Sequence, residues 1–587
     1  MMKLNLLHTA IVAAVMTLVG CAGEDGNDGR DGVDGQNGVN GSNGVDGAPG
    51  ADGAPGLVED LPFKLSDVLA NTKNNDWYIQ ASQKVASTQS AVNTIIEEAG
   101  EAKNIILFVG DGMGVSTVTA SRILEGQMKG MSGEENSLSF GNFPFSGLSK
   151  TYNVDAQTPD SAGTMTAMMS GAKTDVGTIG VDEDIARGDC SSVAGNELAT
   201  ALELAEIAGM STGIISTARI THATPAATYA KSADRNWEDN SDMPETGAEG
   251  CADIALQLVE FEENLETRHA DSMLDIDGIE VVMGGGRRHF LPKQAEANSP
   301  DAVSAVEGDR TDGRNLTNEW SAQYNAPGDF YVYDQAGFDA IDPELTTHLF
   351  GLFNESHMQY EADRANDVAG EPSLAEMTEK AIKILDNNEE GFFLMVESGR
   401  IDHAHHAGNA YNALQDTIEL SEAVAIADEL TSNRDTLIIV TADHGHVFTI
   451  AGYPKRGNPI LGKVVAVGAD EPSLASDDMP YTTLNYMNGR GHVAVDPSET
   501  DADAGYGAAI NTGRVDLSGV DTTAPGFHQE ALIPMSSETH SGEDVGIYAK
   551  GPGAHLVSGT NEQSIIFHVM NFAGDLANRA DAVVNQP

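Results

Sequence analysis

The chain has 587 residues, enough for one large α/β domain with insertions or for several small domains, and its 40% hydrophobic content suffices for a substantial core. Against 32 basic residues stand 90 acidic ones, a formal charge of −58 at pH 7. Such a surface repels nucleic acid and excludes nucleic-acid binding, and an anionic substrate would need local positive charge from arginines or bound metal ions.

In chain order, residues 4–17 (LNLLHTAIVAAVMT) form an apolar run behind Lys3 that is marginal for a membrane span, and the basic start favours a signal peptide. Gly20-Cys21 follows, a small residue before cysteine as in the bacterial lipobox, so cleavage before Cys21 and lipidation of its thiol are expected. Ala22, where Asp would retain a lipoprotein at the inner membrane, points to outer-membrane sorting, periplasmic or surface-facing. Glycine then occupies every third position from Gly23 to Gly56, the collagen-like Gly-X-Y period. With Pro49 and Pro55 as its stiffening residues, this segment reads as a flexible charged spacer, a short triple helix being the alternative. The expected layout is a lipoprotein signal at 1–20, lipidated cysteine and spacer at 21–58, and a globular domain at 59–587.

Apolar runs at 104–110, 212–216, 279–283, 391–396, 436–440 and 545–549 predict buried strands, and periodic stretches at 194–208 and 410–430 predict helices. Their alternation predicts a three-layer α/β/α sandwich around a large, mostly parallel sheet covered on both faces. Residues 451–530, rich in Gly, Asp, Pro and Thr, break the pattern and read as an inserted subdomain. With Cys21 set aside, Cys190 and Cys251 remain. In an exported protein they most simply form a disulfide closing a loop of about 60 residues, worth about 4 kcal/mol, two separate buried thiols being the alternative.

Ligands of such sheets bind beyond the carboxyl ends of the strands. There the chain places Asp111; Glu397, Asp402, His403 and His406; Asp443 and His444; and His222 and Thr224, with Arg235 further on. Singly, an acidic residue at a strand end is a cap or turn former. Together they suit two zinc ions, which take imidazole and carboxylate, and one magnesium, which prefers oxygen ligands. A two-metal site of this kind stabilises the entering and leaving oxygens of an in-line phosphoryl displacement. Ser161, opening a small-residue helical stretch, is the candidate nucleophile with a helix N-terminus facing an anion. Read locally, Asp-Ser is more often a helix cap.

Phe108-Val109-Gly110-Asp111-Gly112-Met113-Gly114, Pro159-Asp160-Ser161-Ala162, the run from Glu397 to His406, Thr441-Ala442-Asp443-His444 and Glu538-Thr539-His540-Ser541-Gly542 resemble the alkaline phosphatases. The match runs in order from about Lys103 to Phe572 and is nearer the vertebrate-type enzymes than the short enterobacterial form. The resemblance implies phosphate-monoester hydrolysis through a phosphoserine at Ser161. It implies Asp402, His406 and His540 on the first zinc, Asp111, Asp443 and His444 on the second, and Asp111, Thr224 and Glu397 on magnesium. Arg235 would grip two nonbridging phosphate oxygens. His222, His403 and Asp160 would lie around these groups, Cys190 and Cys251 would be the vertebrate-type disulfide, and 451–530 would be the crown insertion of a homodimer. His403, titrating near neutrality, is expected to hold phosphate more weakly than a lysine would. His405 has no implied role and reads as solvated or as standing behind the ligands. A peripheral calcium site is doubtful, because Asn354 follows Phe353 where Glu is expected, and Glu371 stands where Asp is expected. Thr224, Glu397 and Arg235 beside Ser161 favour monoester hydrolysis over a phosphodiesterase or sulfatase. The intact nucleophile argues against a non-catalytic, collagen-like adhesin.

Overall fold

In the computed structural model the described residues are 101–585, apart from 270–273 and 506, together with eight helical positions between 79 and 93. The expected signal peptide, Cys21 and the glycine-repeat spacer lie outside the described residues.

Among the described residues fifteen strands are formed: β1 Asn104–Gly110, β2 Phe145–Lys150, β3 Ser211–Arg219, β4 Val281–Gly285, β5 Asp329–Val332, β6 His348–Leu352, β7 Phe392–Ser398, β8 Thr436–Ala442, β9 Gly445–His446, β10 Phe448–Ile450, β11 Leu484–Gly489, β12 Ala531–Pro534, β13 His540–Ser541, β14 Val545–Lys550 and β15 Gly559–Glu562. Ten make the central sheet, in the order β15-β2-β14-β8-β1-β7-β3-β4-β6-β5. All its pairings are parallel except those of β14 with β2 and β8. Each predicted strand is present. β1, β7 and β8 are buried along their whole length, as near-continuous apolar runs require of a sheet covered on both faces.

Alternate residues of β1 enter opposite cores. Ile105, Leu107 and Val109 pack in one cluster with Met165 and Met168 of the helix Ser161–Ser170 and Val569 of the helix Ile565–Gly574. Ile106 and Phe108 pack in the other, with Ile382 of the helix Leu374–Leu385 and Leu420 and Val424 of the helix Ala410–Leu430. Period-two side chains thus produce the three layers.

The helix expected over 194–208 is confined to Ala201–Ile207. Thr200 and Glu203 form a reciprocal capping box that fixes its start, and the preceding segment is held extended by the bridge between Val181 and Glu197. Between β10 and β12, the segment 451–530 carries β11 and one 3-10 turn, Ala502–Gly505, as its regular elements among the described residues. β10, β11 and β12 form a separate three-stranded sheet. Phe448, Leu484 and Tyr486 of that sheet bury against Ile123 and Leu124 of the helix Val115–Met128 and against Leu414 and Ile418. Cys190 and Cys251 are joined by a disulfide. Among the described residues no helix is long and apolar enough to cross a membrane.

Candidate active site

Register builds the site. Gly110 is level with Ser398 of β7 and Ala442 of β8, and Ser216 of β3 with Glu397. The residues immediately beyond these points, Asp111 and Asp443, therefore emerge side by side with Glu397 at the carboxyl edge of the sheet. Gly112 has φ +68°, and a Cβ there would collide with the His446 ring, so the turn after Asp111 requires glycine.

The structure brings the sequence-derived residues together in overlapping groups. Ligand-capable atoms of Asp111, Asp443 and His444 lie within 4.8 Å of one another, as do those of Asp402, His444, His446 and His540, and those of Asp111, His222 and Glu397. His406 Nε2 and His540 Nε2 each stand 3.3 Å from Asp402 Oδ1. Both oxygens of Asp111, Asp443 Oδ2, Glu397 Oε1, Thr224 Oγ1, His444 Nδ1 and His222 Nδ1 are buried without a hydrogen-bond partner. Orphaned buried carboxylates and imidazoles are costly. A donor set of this composition fits zinc and magnesium.

Electrostatics follow from the same crowding. Burial, then the neighbouring Asp443, Asp402 and Glu397 carboxylates, push Asp111 well above the ordinary carboxylate range. Burial raises Glu397 to about 7. Burial acts against ionisation of Asp402 too, yet His406, His446 and His540 outweigh it and hold that carboxyl well below its usual range.

Ser161 is the first residue of its helix. Asp160, not Ser161, is the cap, its Oδ1 accepting from Gly163 N at 3.1 Å. The local reading of Ser161 as a cap is thereby corrected, and its hydroxyl, 3.2 Å from His444 Nε2, is left to face the ligand groups. Asp160 also accepts from Asn153 Nδ2 at 2.9 Å, Gly177 N at 3.0 Å and Arg235 Nη1 at 3.0 Å. The other Arg235 terminal nitrogen lies 3.2 Å from His222 Nε2. Burial, then Arg235 and Arg219, lower His222 to about 3.

One histidine expectation is revised, and for a second the structure decides between its two alternatives. His403 does not titrate near neutrality: burial and the adjacent Arg400 hold it well below 6.5. Its Nδ1 sits 3.1 Å from Arg400 Nη1, and its ring packs against His357 at 4.0 Å. His405 stands behind the ligand groups and is not solvated. It is buried, bonded to Thr117 Oγ1 at 2.9 Å and Tyr486 OH at 2.7 Å, and stacked on His446 at 4.7 Å.

Sequence reasoning missed His446 and the role of Glu538. The fully buried His446 bridges Asp402 Oδ1 at 2.9 Å and Glu538 Oε2 at 2.6 Å. The Glu538 backbone carbonyl accepts from His406 Nδ1 at 2.7 Å, so one residue fixes two rings. The available signal was the alternation His444-Gly445-His446 beside a proposed ligand.

At the doubtful calcium position, Glu371 is buried, accepts from Gln359 N at 2.6 Å, and is raised by burial to about 8. In the stretch 293–307, Asp301 and Glu307 are both paired with the buried Arg287, at 2.8 and 2.5 Å.

Comparison with known proteins agrees with this geometry. Residues 102–576 match the family model described as Alkaline phosphatase. The chain is 44% identical over 482 residues to the tissue-nonspecific alkaline phosphatase of Rattus norvegicus, covering 82% of this chain and 85% of that protein. It is 41% identical over 500 residues to the alkaline phosphatase of Gadus morhua, covering 85% and 96%. The alkaline phosphatase structure of Thermus thermophilus shares the fold with a TM-score of 0.55 at 22% identity, covering 84% of this chain and 97% of that one. A family match across almost all of the described region, joined by relatives above 40% identity over most of their length, establishes that the chain belongs to the alkaline phosphatase family.

Proposed function

We propose that the protein hydrolyses phosphate monoesters to alcohol and inorganic phosphate through a covalent phosphoserine at Ser161. The carrying observation is the Ser161 hydroxyl, freed from capping by Asp160 and placed against His444 among buried, unpartnered ligand groups. Asp402, His406 and His540 would hold one zinc, Asp111, Asp443 and His444 a second, and Asp111, Thr224 and Glu397 a magnesium. Bound there, these ions supply positive charge that lowers hydroxyl and water pKa values and stabilises the entering and leaving oxygens.

Ser161 Oγ, losing its proton to solvent, attacks phosphorus as the bond to the alcohol oxygen breaks, and the alcohol takes up a proton. Water then attacks the phosphoserine, releasing phosphate and restoring the hydroxyl. Arg235, held by Asp160, donates to nonbridging oxygens and counters their charge in both displacements. His222, kept neutral beside it, adds no competing charge. Glu538 and His446 keep Asp402 and His406 in place.

In this reading the Gly20-Cys21 site makes the protein an outer-membrane lipoprotein, set off from its anchor by the glycine-repeat spacer, and the 451–530 insertion serves a homodimer. The decisive experiment is para-nitrophenyl phosphate hydrolysis before chelation, after it, and after restoring zinc plus magnesium, with acid trapping of the phosphorylated protein. Turnover lost on chelation and regained with the metals is expected, along with loss of turnover and of trapped phosphate in Ser161→Ala. Full turnover by Ser161→Ala would refute the assignment.

A further inference from the structure

The reading above, on which this inference rests, directs the departing alcohol toward Asp402, His406 and His540. Beside His406 opens a cavity of about 380 Å3, lined by His357, Arg400, His403, His406, Asp503 and Ser537. That volume lies within the range of small-ligand sites. Asp503 is supplied by the insertion and is firmly seated. Its neighbour Ala502 is buried in a small apolar cluster with Tyr360, Ala404, Ala407 and Ala413. Ala404 and Ala407 belong to the helix Arg400–Ala407, which also carries Asp402 and His406. The Tyr360 hydroxyl donates to Asp503 Oδ1 at 3.1 Å. The insertion is therefore keyed to the helix that bears two of the ligand groups.

A guanidinium and a carboxyl of opposite charge line the cavity, and they differ in what a ligand meets. The Arg400 guanidinium lies 3.7 Å above the Tyr360 ring centroid. Its side chain is 8% exposed, against 46% for Asp503, and the two groups form an ion pair at 3.8 Å, too long for a hydrogen bond, with the carboxylate as its exposed member. The accessible charge on the alcohol side is thus a carboxylate, while phosphate-side charge is met by Arg235. We infer that Asp503 is a specificity-determining residue: it sorts phosphate monoesters by the charge of their alcohol, disfavouring hydroxy-acid phosphates against neutral or ammonium-bearing alcohols of the same size.

The test compares kcat/KM of the metal-restored full chain for phosphoglycolate, 2-hydroxyethyl phosphate and 3-aminopropyl phosphate, in wild type and Asp503→Asn. Asparagine keeps an acceptor for Tyr360. The ammonium ester should exceed the carboxylate ester by about tenfold, the effect expected of one charge several Å away at a partly exposed rim. Asp503→Asn should shrink that ratio about threefold or more, whereas Glu471→Gln, removing an exposed charge elsewhere in the insertion, should leave it unchanged. This control separates a local effect from the overall charge of −58. Calorimetric binding of phosphonoacetate and 3-aminopropylphosphonate to wild type and Asp503→Asn supplies a readout free of turnover, and the affinity ratio should shrink about threefold or more in the variant. An ester ratio unmoved by Asp503→Asn, with wild type turning over all three substrates, overturns the inference. So does a phosphonate affinity ratio unmoved by Asp503→Asn. If wild type hydrolyses none of the esters, the phosphatase reading fails and the phosphonate ratio still decides the role of Asp503.

Discussion

Asp160 offers the sharpest separation of folding from phosphate binding. All four groups around its carboxylate are donors: Gly163 N and Asn153 Nδ2 on one oxygen, Gly177 N and Arg235 Nη1 on the other. In Asp160→Asn the amide nitrogen must confront two donors whichever way the side chain is turned. The oxygen should remain with Gly163, because the cap is worth about 1 kcal/mol, and the nitrogen should then face Arg235 and Gly177. Leaving a partly buried charged donor without its acceptor costs about 1–3 kcal/mol. If half of that, about 0.5–1.5 kcal/mol, falls on the position of Arg235, the phosphate inhibition constant rises about two- to tenfold, since 1.4 kcal/mol is a factor of ten. Competitive inhibition by inorganic phosphate is the proper assay, because kcat can be limited by product release and so move either way. Urea unfolding of the same variant should show a loss of about 1–2 kcal/mol. An inhibition constant within twofold of wild type, with the stability loss present, would refute the reasoning that Asp160 holds Arg235 for phosphate.

Two further outcomes are expected. Glu280 is buried, accepts from Thr212 N at 2.6 Å, and is raised by burial and by Asp277 from 4.5 to about 8. The folded protein therefore keeps a proton that the unfolded chain releases between those values, so stability falls as pH rises through the interval and the penalty is complete above it. Glu280→Gln should raise unfolding free energy by about 2–4 kcal/mol at pH 9 and much less at pH 5, and equal changes at both would contradict this. Replacing both Cys190 and Cys251 by serine should cost about 4 kcal/mol in denaturant unfolding, from the closed loop of 61 residues. Because Trp237 and Ala233, flanking Arg235, share an apolar cluster with Cys190, the phosphate inhibition constant should also rise severalfold. An unchanged unfolding midpoint would count against the first part, and an unchanged constant against the second.

What could be read beforehand follows from how each element is stabilised. β1, β7 and β8 are covered on both faces and so carry uninterrupted apolar runs, and Asp111, Asp443 and Glu397 could be placed by their positions at the ends of those runs. β2 (FSGLSK) and β15 (GTNE) are half exposed and have no such run, and it is the pairing of β2 with β14, and of β15 with β2, that makes them strands. Periodicity overextends the helix Ala201–Ile207 because it blurs the start, although Thr200-x-x-Glu203 marks the cap. His446 was invisible for a different reason. Its partner Glu538 is 92 residues away and meets it only when β9 and β13 come together. Asp503 sits in a segment with no periodicity to read, and its position is decided by the docking of Ala502.

The two-residue pairing of β9 with β13, which sets His446 opposite His540, also has a meaning for the order of assembly. Asp111 stands near the start of the described globular chain, while His540 Nδ1 reaches Pro159 O across 381 positions of sequence. The ligand cluster can close only after the whole insertion has been synthesised and β13 has returned to the sheet edge. Contacts of such separation form late, since loop-closure entropy opposes them until the rest of the chain is ordered. In the proposed reading, a complete set of metal ligands is consequently assembled only at the end of folding, and a chain truncated before β13 would lack His540 from that set.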